Sequence, residues 1–207
     1  MFYSIKALGP VSINGQGHKI DIPFGCLRRH GKIKITGKSN IVSLSRKSKM
    51  HQSKILVSGA GSILEIGENC LLKSTKINIA DGINNKLTIG NNSTFEGGTL
   101  NVADGTWLNI GDNCMFSWQV DIFSSDMHSI ICKEKQARIN PGKNTQIGNH
   151  VWVSTKSTIL KGVVIHEHSV IAAGSVVVAG EYPAHTLLSG LPAKIKRSNI
   201  EWLKERI

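Results

Sequence analysis

Residues 147–177 read IGNHVWVSTKSTILKGVVIHEHSVIAAGSVV, and in that stretch Ile147, Val153, Ile159, Ile165, Ile171 and Val177 stand six apart without a break. Four residues after each of the first five come Val151, Ser157, Val163, Ser169 and Ser175, all short-tailed. A helix repeats its apolar face every three or four residues and a flat strand every two, so neither explains a period of six. A coil of short strands does. One aliphatic side chain per repeat points inward, a smaller residue closes the corner, and stacked coils pair their backbones at the ~4.8 Å spacing of neighbouring strands. The period predicts an all-β fold, a parallel β-helix.

Outward from this stretch the rhythm loosens but persists. Ile66-Gly67, Ile89-Gly90, Ile110-Gly111 and Ile147-Gly148 each carry an aliphatic-Gly step suited to a tight corner. Ile110, Phe116 and Ile122 again run at six, and then residues 123–145 carry no ladder. That segment, with Asp126, His128 and Pro141-Gly142, reads as a loop thrown out from the coil, and loops on rigid scaffolds are where function concentrates. The organisation expected is therefore irregular basic strands capping the coil over residues 1–56, the coil proper over 57–180 with its loop at 123–145, and a C-terminal turn over 181–207. Residues 198–207 read as a short closing helix capped by Ser198 or Asn199.

The formal charge of the 207-residue chain is +11 and is unevenly spread. Between Ile22 and Leu64 there is no Asp or Glu, while Arg28, Arg29, Lys32, Lys34, Lys38, Arg46, Lys47, Lys49 and Lys54 all fall there. Such a surface attracts polyanions, whether acidic glycan, nucleotide phosphate or an anionic membrane face; otherwise it is a solvated basic edge. The alternation Lys32-Ile33-Lys34-Ile35 favours a half-buried strand, and the scarcity of aromatics argues against a nucleic-acid platform. Cys26, Cys70, Cys114 and Cys132 form no CxxC pair and no zinc-like spacing. Cys70 and Cys114 close twin motifs, Ile-Gly-Glu-Asn-Cys and Ile-Gly-Asp-Asn-Cys, at the small inward corner, where a reduced packing thiol is expected. The first ten residues hold one Lys and no long apolar run, so no secretory signal is expected and a cytoplasmic location is.

The hexapeptide ladder, with the tail Gly190-Leu191-Pro192-Ala193-Lys194, resembles the hexapeptide-repeat acyltransferases over residues 110–197. The stretch Ser125-Asp126-Met127-His128, followed by Arg138-Ile139-Asn140-Pro141-Gly142-Lys143, is similar to bacterial polysaccharide O-acetyltransferases, including those acting on polysialic acid capsules. The resemblance implies a left-handed coil, a homotrimer with sites at subunit boundaries, and acetyl-CoA as donor. It also implies a carbohydrate acceptor, acidic if the basic segment meets it, with peripheral association at the inner membrane surface left open. General connection rules alone would have favoured the right hand.

Acetyl transfer from a thioester to a hydroxyl needs a base, an oxyanion donor and a slot for the cofactor. His128 lies on the loop that breaks the ladder, and an imidazole there can accept a proton and later return it; the resemblance makes it the catalytic base. Asp126 either orients that imidazole or caps the local turn. Trp152 falls at an outward position, and the resemblance places it in the active centre near the donor thioester; an aromatic packed at a subunit interface is the plainer reading. The resemblance assigns the cofactor slot to Trp152, Ser154, Thr155, Ala172, Ala173, Val178 and Ala179, with Lys194 and Arg197 meeting the phosphates of coenzyme A. A backbone amide near Ser154 or Thr155 is the expected oxyanion donor. Ser154 and Ala172 stand where the family usually has Gly, and Ala179 where it has Lys, so altered contacts are expected. His166 and His168 flank Glu167 without a recognisable zinc arrangement, and no metal is expected. Two other readings stay open: an N-acetyltransferase of a nucleotide-linked amino sugar, and a non-catalytic glycan-binding β-helix.

Overall fold

The computed structural model describes residues 11–23, 26–28, 30–80 and 82–207. Each circuit of the chain lays one short strand in each of three sheets, giving a three-sided prism. The first sheet runs from Val11–Gln16 through Val120–Phe123 to Val176–Val177, and the second from Lys19–Asp21 through Thr145–Ile147 to Gly180–Tyr182. The third runs from Leu27–Arg28 through Trp152–Val153 to Leu187–Gly190, with Ala193–Arg197 folded back antiparallel on its last strand. Neighbours are parallel throughout the coil. Ile147 pairs with Ile165, Val153 with Ile171 and Ile159 with Val177, so the six-residue ladder is one inward residue per side and 18 residues per circuit.

The six ladder residues are at most 1% exposed, as are Val151, Ser157, Val163, Ser169 and Ser175 at the corners. Full burial of one such aliphatic side chain stabilises by roughly 1.5–3 kcal/mol, so the ladder is the main source of cohesion. The buried serines avoid an unmet polar group by donating to the next coil: Ser157 Oγ to Ala172 O (3.0 Å) and Ser169 Oγ to Pro183 O (3.2 Å). Cys70 and Cys114 do the same toward Gly90 O (3.0 Å) and Gly148 O (3.1 Å). Burial pushes the Cys114 thiol up to about 11, which keeps it protonated and unreactive. Both are free thiols in the core, as the twin motifs predict.

Two expectations are corrected. The coil does not emerge at Val57: it is in register from Val11, which pairs with Ile33, and Ile33, Ile55 and Ile77 follow at 22-residue circuits. The N-terminal sides are simply longer, with strands of up to seven residues such as Lys32–Lys38, so a six-residue period cannot reveal them. The closing helix is absent. Asn199 takes φ 56°, outside the helical region, and Ile200 N–H donates to His185 O (3.0 Å). Trp202 is buried, and its Nε1 donates to His150 O (2.7 Å). Docking the indole against the coil holds this segment extended in preference to a helical turn. No α-helix occurs among the described residues.

The loop leaves after Phe123 of the first sheet and returns at Thr145 of the second, so it projects from the corner between them. It stretches that circuit to 37 residues, from Ile110 to its register partner Ile147.

Candidate active site

The loop is a braced structure. Ile131–Cys132 and Ala137–Arg138 pair antiparallel, and Ile139 N–H donates to Ile130 O (2.9 Å). Asn140 ties the feet together: its Nδ2 donates to Asp126 Oδ2 (2.8 Å) and His128 O (2.9 Å), and its Oδ1 accepts from Ile130 N–H (2.6 Å). On one side Arg138 Nη2 and Ser125 Oγ donate to the Asp104 carboxylate (2.6 and 2.7 Å). On the other, Lys161 Nζ donates to the Asp126 carboxylate and to Asn140 O (3.0 Å). The Arg138 hydrogen bond holds the Asp104 carboxyl below its ordinary range, and Lys161, then Asn140, do so for Asp126. Both carboxylates are therefore charged braces at neutral pH.

This bracing presents His128. Met127, just before it, takes φ 63°, a left-handed conformation uncommon for so long a side chain, and its N–H is held by Ser125 Oγ (3.0 Å). His128 is exposed, its carbonyl pinned by Asn140. Among the described residues no hydrogen bond engages its ring. Asp126 does not reach the imidazole; it turns to Lys161 and Asn140, and so fixes the backbone of His128 through Asn140. Of the two roles expected of Asp126, direct orientation of the imidazole is not made; its link to His128 runs through Asn140. A ring held at its backbone and free at both nitrogens can take a proton from a bound hydroxyl.

The cofactor candidates sort onto two edges of the first sheet. Ser154 and Thr155, and one circuit on Ala172 and Ala173, stack at the corner between the third and first sheets. Val178 and Ala179 lie at the opposite corner, where the loop ends. A Cβ added at Gly162 there would meet Lys143 and Ala179. Ala173 is exposed, and a Cβ at neighbouring Gly174 would meet nothing, so the first edge is open along the last coils. Lys194 and Arg197, both exposed, stand on the strand that folds back beyond Ala172. A row of small side chains ending in cations fits an extended, phosphate-tipped cofactor. Ser154 N–H is already taken by Ile171 O (2.9 Å), which leaves Thr155 N–H of the two expected oxyanion donors.

Trp152 stands apart from this group. It sits on the third sheet, the face opposite the corner that carries the loop, with Nε1 toward Ser117 Oγ (3.4 Å). Within one chain the fold does not bring Trp152 and His128 together.

Sequence reading missed four residues. Trp118 is 62% exposed directly above Thr155, whose hydroxyl donates to Trp118 O (2.8 Å). Lys161, Asn140 and Asp104 form the braces. Trp118 was findable, two residues before the inward Val120 and so at a corner. Asp104 was not, because its partner Arg138 is 34 residues away.

The Bacterial transferase hexapeptide (six repeats) model matches residues 144–179. A polysialic acid O-acetyltransferase of Neisseria meningitidis is 32% identical over 186 residues, covering 80% of this chain and 86% of that protein. The chain belongs to the hexapeptide-repeat acetyltransferases. The crystal structure of the polySia specific acetyltransferase NeuO superposes with a TM-score of 0.81 at 28% identity, covering 95% of this chain and 89% of that one. A galactoside acetyltransferase in complex with coenzyme A gives 0.53 at 26% identity, over 65% and 64%. This family member is accordingly a left-handed parallel β-helix and an acyltransferase whose donor is acetyl-CoA. The handedness, which elementary connection rules would have reversed, comes from these likenesses.

Proposed function

We propose that this enzyme O-acetylates an acidic, sialic-acid-containing polysaccharide of a bacterial capsule, in the cytoplasm, with His128 as general base. The observation that carries the mechanism is the braced loop, which fixes the His128 backbone by Asn140 and leaves its ring unengaged. The acceptor O–H gives its proton to His128 while its oxygen attacks the thioester carbonyl; Thr155 N–H faces the developing oxyanion. As the C–S bond breaks, the imidazolium returns the proton to the departing thiolate. Because Thr155 and the His128 loop lie on opposite edges of the first sheet, this mechanism takes the two from neighbouring copies.

An acidic polymer is supported by a groove along the N-terminal coils, where Lys49, His51 and Lys76 line the wall, Lys73 is paired with Glu96 at 2.8 Å, and Asp121 is also present. The groove runs to Trp118, one circuit from Thr155, so its basic wall leads toward the cofactor edge. The names of the Neisseria and NeuO relatives agree with such an acceptor. A trimer with sites between subunits is supported by two features: Trp152 and His128 lie on opposite sides of one prism, and Ile130, Ile131 and Ile139 stand 51–60% exposed on the loop. A second copy would cover those isoleucines and bring its third sheet to the loop.

The test is thiol release from acetyl-CoA against polysialic acid, a uronate polymer and an amino-sugar nucleotide. Release with polysialic acid alone supports the reading. Release with the sugar nucleotide alone replaces it with N-acetylation, and release with the uronate polymer alone moves the acceptor to another acidic glycan.

A further inference from the structure

From Asn69 onward, the corner between the second and third sheets carries a column of non-glycine residues with positive φ, one per circuit: Asn69, Asn92, Asn113, His150, His168 and His185, at φ 52–59°. Asparagine suits this left-handed position, and the first three form an amide ladder, Asn69 Nδ2 to Asn92 Oδ1 and Asn92 Nδ2 to Asn113 Oδ1, each 3.2 Å. The backbone would be served equally well by three more asparagines. Instead the last three circuits carry imidazoles, and the C-terminal segment returns Glu201 to face them.

We propose that His150 Nε2, His168 Nδ1 and the Glu201 carboxylate form a binding site for a borderline divalent cation such as zinc, within one chain and clear of the catalytic loop. Glu201 Oε2 lies 3.1 Å from His168 Nδ1 and Glu201 Oε1 lies 3.6 Å from His150 Nε2, and one ligand atom from each of the three residues falls within 4.8 Å of the others. Zinc bonds of ~2.0–2.1 Å in a tetrahedron set ligand atoms about 3.4 Å apart, so small rotations complete the set. The ring planes of His150 and His168 are inclined at 57°, which lets their in-plane lone pairs converge. His185 Nδ1 comes within 3.8 Å of Glu201 Oε2, but it is engaged with Ile200 O at 3.2 Å and its ring is stacked on His168 at 12°, so it is left out of the ligand set. His166 is excluded too, since its Nε2 pairs with Glu181 at 2.8 Å. The expectation of no metal rested on His166 and His168, and the convergence of His150 and Glu201 on His168 is visible only in the fold.

The surroundings orient the ligands. His150 stacks on Trp202 (centroids 4.1 Å, 9°), whose Nε1 holds His150 O at 2.7 Å. Without an ion, His150 Nε2–H donates to Trp202 O (3.1 Å) and His168 Nδ1–H to Glu201. On binding, each imidazole moves that proton to its other nitrogen, and Trp202 O turns to water. The ion would clip the C-terminal segment to the last coils, with Trp202 6.0 Å from Trp152.

The experiment is calorimetric titration of untagged, chelator-treated protein with zinc chloride, repeated with cobalt(II) while its visible absorption is followed. The expected result is one ion per chain and an intense tetrahedral cobalt spectrum. Affinity should fall at least tenfold in His168→Asn, which restores the asparagine of the column, and in Glu201→Gln, whose site is half exposed, while His185→Asn keeps native affinity. Absence of saturable binding would overturn the proposal, as would binding that His168→Asn and Glu201→Gln leave unchanged.

Discussion

Asn140→Ala removes the side chain that ties His128 to the loop while touching nothing in the coil. It deletes hydrogen bonds to Asp126, His128 O and Ile130 N–H, of 2.8, 2.9 and 2.6 Å, and a longer one from Arg138 Nε (3.4 Å). A neutral hydrogen bond stabilises by about 0.5–1.5 kcal/mol and one to a charged group such as Asp126 by about 1.5–3; the exposure of this loop argues for the lower end throughout, so the braced state should lose about 2 kcal/mol. When cleavage tracks a fast opening equilibrium, that loss speeds nicking roughly 30-fold. Trypsin cleavage after Arg138, whose guanidinium is otherwise held by Asp104, followed by mass spectrometry, measures it directly. Turnover should fall by one to two decades, because without the Asn140 pin His128 is displaced even while the loop stays closed, and a misplacement of about 1 Å costs about 10²-fold. Global melting should move little, since every ladder residue stays buried. Native nicking and turnover within twofold of wild type would refute the claim that Asn140 holds the base in place.

His128→Ala should lower turnover by about two to four decades and leave coenzyme A binding intact; near-native turnover in a folded variant would remove His128 as the base. Lys194→Ala should raise the donor KM with little change in kcat, and an unchanged KM would take it out of the slot. Asp104 and Asp126 both have depressed pKa values, so their bracing is fully present above the ordinary carboxylate range and lost only as pH falls through the lowered values. Hydrogen exchange of residues 124–144, corrected for intrinsic rates, should therefore stay constant from pH 7 to about 4 and rise below; loss of protection near pH 6 would contradict this. Phe116→Ala removes a fully buried ring stacked on Phe95 at 4.3 Å and should destabilise the coil by about 3–5 kcal/mol in denaturant titration, with under 1 kcal/mol counting against the packing account.

The C-terminal coil was legible because its sides are as short as a strand can be. With 18 residues per circuit, Ile147, Ile159 and Val177 fall on one arithmetic series that each short side continues. The same logic placed the loop at residues 123–145, since a side chain off the series has no axis to face. The N-terminal circuits follow identical physics at 21–23 residues, but their longer sides alternate in and out like any strand, and that alternation hides the coil until Ile33 is seen opposite Ile55. Local propensity likewise mistook residues 198–207 for a helix, because nothing near Trp202 in the sequence announces that His150 will receive its indole.

For the site, the motif around His128 was enough to propose it as the base; its environment is legible only in the fold. Asp126 lies two residues from His128, close enough to orient the imidazole or to cap the turn, yet Lys161 and Asn140 claim it, one from the next circuit and one from the far end of the loop. The separation of Trp152 from His128 follows from the order of sheets around a triangle, which no spacing along the chain encodes. Period and residue type are local quantities and survive in the sequence. Which charges meet, and which histidines gather round Glu201, depends on how many residues each circuit consumes, and only the folded coil decides that.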